Sequence, residues 1–298
     1  MKLVGRPRKS YKILIGCGGG IFGYIMAYFL SKTSVAHIKA KDLIYAGGGT
    51  SIGGINMLNL GADKNFTQLH EAFIEMGDIC FEKNWRSRFD PWYPSHPDSG
   101  LNESLQKALH GRRYGDMNFP IIVPTIDFQH NKPKVYDNII HDDDVELLAW
   151  EIGRSTAAAP TYFVPWKAYI DGGLLANMPV MQTASALKSK KGIPFDRMDI
   201  FVMGTGHFPG ISRNMRKVCR WSKLHWLSPM LKYLTKANEM NSDFIAKQIG
   251  FKSYRYWNPV LLEESWDMDE PELIPQLELR CEAYLEDFEK AFLYFLNQ

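Results

Sequence analysis

Between Leu43 and Gly53 the chain runs Leu-Ile-Tyr-Ala-Gly-Gly-Gly-Thr-Ser-Ile-Gly. Leu43 to Ala46 have strand character, and Ile52 to Leu60 have the composition of a helix start, so the glycines and Ser51 fall in the turn between them. Gly49-Thr50-Ser51-Ile52-Gly53 is a GxSxG pattern, and strand, tight turn and helix in that order are the setting of a nucleophile elbow. Glycine on either side of the serine lets the backbone reverse without a Cβ clash and projects the Ser51 hydroxyl from the strand end. The helix start behind it favours negative charge developing there. GxSxG by itself also fits a turn serine or a helix cap, so its meaning depends on its surroundings.

Upstream, Tyr11 to Ile15 read as a strand, followed by a glycine turn and a helix from Ile21 to about Ser31. With the strand at Leu43 this is a β-α-β beginning, which implies a parallel sheet with helices on its faces. The turn, Gly18-Gly19-Gly20-Ile21-Phe22-Gly23, lies beside the elbow in such a sheet. Its Gly19 and Gly20 N–H groups are candidate donors to a tetrahedral oxyanion, each worth about 3 to 4 kcal/mol when well placed. Gly18, Gly20 and Gly23 also satisfy GxGxxG, the dinucleotide fingerprint, but that reading needs an acid at the end of the next strand. Asp42 stands at its beginning, and the end is taken by the Ser51 turn. No Gly-Lys-Ser/Thr follows the glycines, which excludes a P-loop. A third signal is Asp171-Gly172-Gly173 after the apolar Tyr169-Ile170, a carboxylate presented at a strand end; in isolation the dipeptide reads first as a turn-forming Asp-Gly.

Taken together, the glycine loop, the elbow and the Asp-Gly-Gly triplet resemble the patatin-like phospholipases, in the order that family has them. The likeness continues through Gly153-Arg154-Ser155-Thr156-Ala157-Ala158-Ala159-Pro160, through Leu174 to Pro179, and through Gly204-Thr205-Gly206. It spans about residues 12 to 208. The resemblance implies a three-layer, modified α/β hydrolase fold with a central, mainly parallel sheet and C-terminal helices. It implies a Ser51–Asp171 dyad without histidine, an oxyanion hole at Gly19 and Gly20, and motif glycines Gly18, Gly23, Gly49, Gly53, Gly172 and Gly173. It implies no metal and no cofactor, and a phospholipid or other acyl-ester lipid as substrate. Two positions depart from the family pattern: Cys17 and Phe22 stand where Asp and a basic residue are common, which bears on head-group preference more than on main-chain donors. A catalytically weak lipid-binding or scaffold protein is the alternative within the fold. For an aspartate to serve as base its pKa must rise, so Asp171 is expected to be buried. His207 after Gly204-Thr205-Gly206 is the histidine best placed to make an ordinary triad instead.

At 298 residues and 45% hydrophobic content the chain has material for one large core, and its net charge of +2 gives no reason to expect nucleic acid. Cys17, Cys80, Cys219 and Cys281 lie far apart without CxxC spacing, which reads as free thiols in a reducing, cytoplasmic compartment. Ile13 to Ser31 is uncharged and largely apolar after a basic start, the outline of a signal or membrane span, yet five glycines interrupt it and a buried strand, turn and helix account for the same residues. Residues 1–10 read as a basic extension, 11–210 as the catalytic core, and 211–298 as a helical part of the same domain. Thr67 to Lys83, Leu101 to His110 and Val145 to Gly153 are helical candidates; Phe119 to Phe128 and Met198 to Met203 are strands; Asn214 to Gly250 and Pro271 to Asn297 are helical. The aromatic, proline-rich stretch Asn84 to Gly100 is a loop, packed by its rings or forming an acyl-chain rim. Arg213 to Lys236 mixes seven basic residues with Trp221, Trp226 and Tyr233 and has no acid, which suits an anionic bilayer surface as well as a solvated helix face. Oligomeric state has no signature in the sequence.

Overall fold

Residues along β1 (Tyr11–Gly16) alternate between two cores: Ile13 and Ile15 pack with one cluster and Leu14 with the other. That alternation is what a strand buried on both faces requires. The computed structural model describes residues 10–82, 94–139, 143–207, 215–220, 222–263 and 265–298. The remaining strands are β2 (Ala46–Gly49), β3 (Ile121–Asp127), β4 (Lys132–Asp137), β5 (Tyr169–Asp171), β6 (Met198–Met203) and β7 (Ser253–Trp257). They form one sheet in the order β4-β3-β2-β1-β6-β7, with β5 also paired to β3. The pairings of β1, β2, β6 and β7 are parallel, as is β2 with β3; β4 and β5 run antiparallel to β3.

The helices are α1 (Tyr24–Ser31), α2 (Ala40–Leu43), α3 (Ile52–Gly61), α4 (Phe66–Cys80), α5 (Asp98–Leu109), α6 (Ala149–Thr156), α7 (Gly173–Ala176), α8 (Val180–Lys191), α9 (Met215–Val218), α10 (Lys223–Ala246), α11 (Ile274–Glu282) and α12 (Leu285–Asn297). Residues of α1, α3, α4, α5, α6, α11 and α12 build the larger core on one face. Residues of α8 and the end of α10 cover the other, which gives the three-layer α/β fold. Phe288 and Phe292 of α12 stack at 5.6 Å and meet Phe201 of β6, so the C-terminal helices close the same core as α1. The apolar stretch from Ile13 is therefore a strand, a short 3-10 turn at Gly20–Gly23 and α1, whose residues Tyr24 to Leu30 are all buried. Among the described residues no helix is long and apolar enough to cross a membrane.

Three local expectations need correction. The strand expected at Leu43 to Ala46 begins at Ala46 and consists largely of the glycines, while Ala40–Leu43 is a helical turn. The cause is close approach from both sides: a Cβ on Gly48 would lie 2.0 Å from Thr183 Oγ1 of α8, and one on Gly47 would lie 2.7 Å from Met57 Sδ of α3. The helix expected from Val145 begins at Ala149, and the long C-terminal helix is two, α11 and α12. Edge strands β4 and β7 were not anticipated, because Lys-Pro-Lys-Val-Tyr-Asp and Ser-Tyr-Arg-Tyr-Trp carry charge and proline that only a sheet edge tolerates. The basic residues 1–9, most of the aromatic loop (83–93), and residues 213, 214 and 221 of the basic segment lie outside the described residues.

Candidate active site

Four chain turns converge at the carboxyl ends of the central strands. The first, after β2, carries Ser51 with φ 52° and ψ −126°, a strained backbone for a residue with a side chain. Its neighbours explain how that conformation is held. A Cβ on Gly49 would sit 2.3 Å from Gly53 O, and one on Gly53 would sit 2.2 Å from Gly16 O, so the strand-to-helix reversal closes only with glycine at both places. Thr156, at the end of α6, accepts the Ser51 main-chain N–H at 3.0 Å and donates its own hydroxyl to Pro124 O at 2.7 Å. Thr50, fully buried, donates to Ala176 O at 2.5 Å and so ties this turn to the next one.

That next turn follows β5. Pairing of β5 with the end of β3, beyond the residues that pair with β2, brings Asp171 up beside Ser51. Asp171 is 6% exposed, its carboxyl accepts the Gly173 N–H at 2.6 Å, and the Ser51 side chain beside it favours its charged form. Burial outweighs these two influences and pushes its pKa up from the usual 3.8 to about 6. Gly172 is packed so that a Cβ there would be 2.1 Å from Pro124 O, which fixes the backbone immediately after the carboxylate.

The third turn is the glycine loop. Cys17 N–H donates to Met203 O at 3.0 Å, Gly18 N–H to Asn177 O at 3.1 Å, Ile21 N–H to Met268 O at 2.8 Å, and Phe22 N–H to Gly19 O at 3.2 Å. The Gly19 and Gly20 amides donate to no partner among the described residues. Gly18 abuts the Ser51 turn, since a Cβ on it would lie 3.2 Å from Ser51 Cβ. Gly20 has φ +56° and leaves room only for the Met268 carbonyl. Gly23 packs onto Ile52, at 2.3 Å from where its Cβ would be, and lets the two helix starts meet. Cys17 is buried in this loop; burial, with Glu239 adding to it, pushes its thiol well above the ordinary value and keeps it protonated and unreactive. Phe22 is buried in the core and presents nothing polar.

The fourth turn, Gly204-Thr205-Gly206, contributes Thr205, whose hydroxyl donates to Gly18 O at 3.2 Å. His207 next to it pairs its Nδ1 with Asn258 O at 2.8 Å, and its backbone bonds Pro259, Leu261 and Leu262. Among the described residues its ring makes no hydrogen bond to Ser51 or Asp171. Among the described residues no group of His, Cys, Asp or Glu side chains is placed to hold a metal ion. Sequence reasoning overlooked Thr156, Asn177 and Glu239. Thr156 and Asn177 stood inside quoted motifs without a role; Glu239 had no local signal.

A serine on a strained strand-to-helix turn, next to a buried carboxylate of raised pKa and two amides without a partner among the described residues, defines the class: an α/β protein with a GxSxG elbow. The chain belongs to the patatin-like phospholipase family, whose family model matches residues 14–184, more than half of its length. It is 26% identical over 248 residues to a cGAMP-activated phospholipase of Escherichia coli (strain TW11681), covering 74% of this chain and 68% of that one. It is 29% identical over 184 residues to a cGAMP-activated phospholipase of Pseudomonas aeruginosa (strain BWHPSA011 / Pa011), covering 57% of this chain and 54% of that one. The chain thus spans between about half and two thirds of these relatives. Among solved structures, VipD from Legionella pneumophila aligns with a TM-score of 0.45 at 11% identity, over 93% of this chain and 67% of that one.

Proposed function

We propose that the chain hydrolyses fatty-acyl esters of membrane lipids, as a phospholipase A or lysophospholipase, with Ser51 as nucleophile and Asp171 as its only general base. The observation that carries this reading is the placement of Ser51, on its strained turn, beside a buried Asp171 whose pKa is raised to about 6. A carboxylate at its ordinary pKa is too weak a base for a serine hydroxyl, and the raised value brings proton transfer nearer to balance. In the proposed reaction Ser51 Oγ attacks the ester carbonyl while its proton passes to Asp171. The carbonyl oxygen becomes an oxyanion that receives the Gly19 and Gly20 N–H groups. Collapse expels the glycerol-side alcohol, which takes the proton from Asp171. Water, deprotonated by Asp171, then cleaves the acyl-Ser51 ester and releases the fatty acid. An amine leaving group would need a stronger acid than Asp171 supplies, which favours esters and thioesters over peptides.

The reading that the protein meets lipid through α10 is supported by Met230, Tyr233, Leu234, Met240 and Phe244, which are exposed on a helix that reaches Gly173 through Thr235. With Arg220 and the neighbouring basic residues of the sequence, this face suits an anionic bilayer. The test is incubation with mixed liposomes and profiling of the released fatty acids and lyso-lipids, with and without cGAMP, the activator named for two of the relatives. Wild-type protein is expected to release fatty acid, and Ser51→Ala none. Lipid binding without release under every condition would favour a non-hydrolytic lipid-binding role instead.

A further inference from the structure

We infer that Glu239, on α10, is a positioning residue for the proposed oxyanion hole, acting through Asn177 on the Gly18–Gly19 peptide. This rests on the hydrolase reading of the site. Glu239 lies outside the matched residues 14–184, yet its side chain is 4% exposed, and burying a carboxylate is costly unless every oxygen is engaged. Its three partners are all donors: Asn177 Nδ2 at 3.2 Å, Lys236 Nζ at 2.6 Å, and the Tyr256 hydroxyl. Asn177 passes the constraint on. Its Nδ2 also donates to Gly18 O at 3.3 Å, and its main-chain oxygen accepts the Gly18 N–H at 3.1 Å. The adjacent Asn238 accepts the Asn177 N–H at 3.0 Å and donates to Leu175 O at 2.7 Å, so α10 grips the segment that follows Asp171.

The effect on the glycine loop comes from peptide geometry. Gly18 C=O and Gly19 N–H belong to one planar trans unit and point in opposite directions. Anchoring the carbonyl to Asn177 Nδ2 and Thr205 Oγ1 therefore aims the Gly19 N–H, one of the two free amides. The amide of Asn177 has a donor end and an acceptor end, and only the donor end satisfies Gly18 O. Glu239 selects that end, because a carboxylate accepts and never donates. Glu239→Gln keeps the shape and reverses this instruction. Lys236 and Tyr256 both donate to Oε1, so the glutamine oxygen stays there and its NH2 faces Asn177, which must turn its own oxygen inward. Gly18 O then loses one of its two side-chain donors and the Gly19 N–H loses its aim.

The experiment measures kcat and KM for a soluble short-chain ester in wild type, Glu239→Gln, Asn177→Ala and the double variant, with urea midpoints as a check on folding. Loss of a whole oxyanion donor lowers kcat by about 100- to 1000-fold, and a misaimed donor still partly held by Thr205 is expected to lower it by about 10- to 100-fold. KM for the small ester is expected to stay within about twofold, since the effect is confined to the transition state. In the Asn177→Ala background the Glu239→Gln effect on kcat is expected to disappear, which a general loss of packing would not do. An active enzyme whose kcat ignores Glu239→Gln, or whose two losses simply multiply, overturns this inference alone. A wild-type protein that hydrolyses no ester and is indifferent to Ser51→Ala overturns the site reading and this inference with it.

Discussion

Replacing Asp171 by Asn is expected to inactivate the protein and stabilise it, and the second effect has a sign and a size that follow from the site. The folded carboxyl ionises at about 6 and the unfolded one near 3.8, so the folded state holds its proton to higher pH. Stability therefore falls as pH rises from about 4 through about 6, and the whole deficit is present above that. A shift of about two units at about 1.4 kcal/mol each amounts to about 3 kcal/mol for the ionised, buried group. An amide keeps an acceptor for the Gly173 N–H and carries no charge to desolvate. Urea unfolding of wild type and Asp171→Asn at pH 8 is expected to show the variant more stable by about 2 to 3 kcal/mol, and at pH 4 by little or nothing. Ester hydrolysis is expected to fall about as far as in Ser51→Ala, because nucleophile and base fail as a unit. A variant that is no more stable at pH 8 than at pH 4, or that keeps its turnover, refutes the burial argument or the assignment of the base.

Other outcomes follow from the same geometry. The rate kcat/KM for a soluble ester is expected to drop below about pH 6 with a slope of one, tracking protonation of Asp171, and a midpoint near 4 would mean that the base is solvated. Thr156→Val removes the acceptor for Ser51 N–H and the donor to Pro124 O in a fully buried position. Leaving those groups unpaired is expected to cost about 1 to 3 kcal/mol by chemical denaturation and to lower kcat, and an unchanged kcat would show that the turn holds without it. Reversing Arg216, Lys217 and Arg220 to Glu is expected to weaken binding to anionic vesicles by at least about 1 kcal/mol per contact, with soluble-ester hydrolysis preserved. Parallel loss of both activities would assign the segment to the fold instead of to a membrane.

The elements of the site that were legible in the sequence are those whose chemistry is local. Ser51 needs glycine at positions 49 and 53 to turn, and Asp171 needs Gly172 because Pro124 O leaves no room for a Cβ, so each announces itself within a few residues. The three-layer fold was legible for a similar reason, since β1, α1 and β6 are apolar on the faces they bury. Strand β2 was misplaced because its interior is glycine, a residue that reads as a turn until the helices on both sides of it are seen. Thr156 and Glu239 were silent because their bonds cross 105 and 62 residues of chain, to Ser51 and to Asn177. No spacing rule connects positions so far apart. His207 looked better in sequence than it is in space: following a glycine turn at a strand end placed it near the site, but its ring is turned to Asn258 O.

The most direct test of the account is covalent labelling with a fluorophosphonate, followed by peptide mapping. Ser51, on its strained turn beside the buried Asp171, is the proposed nucleophile, and attack on phosphorus develops negative charge on the phosphoryl oxygen where the Gly19 and Gly20 amides are proposed to receive the ester oxyanion. A single adduct on Ser51, abolished in Ser51→Ala and strongly slowed in Asp171→Asn, is the predicted result. An adduct on a different serine, or equal labelling of Ser51 with and without Asp171, would contradict it.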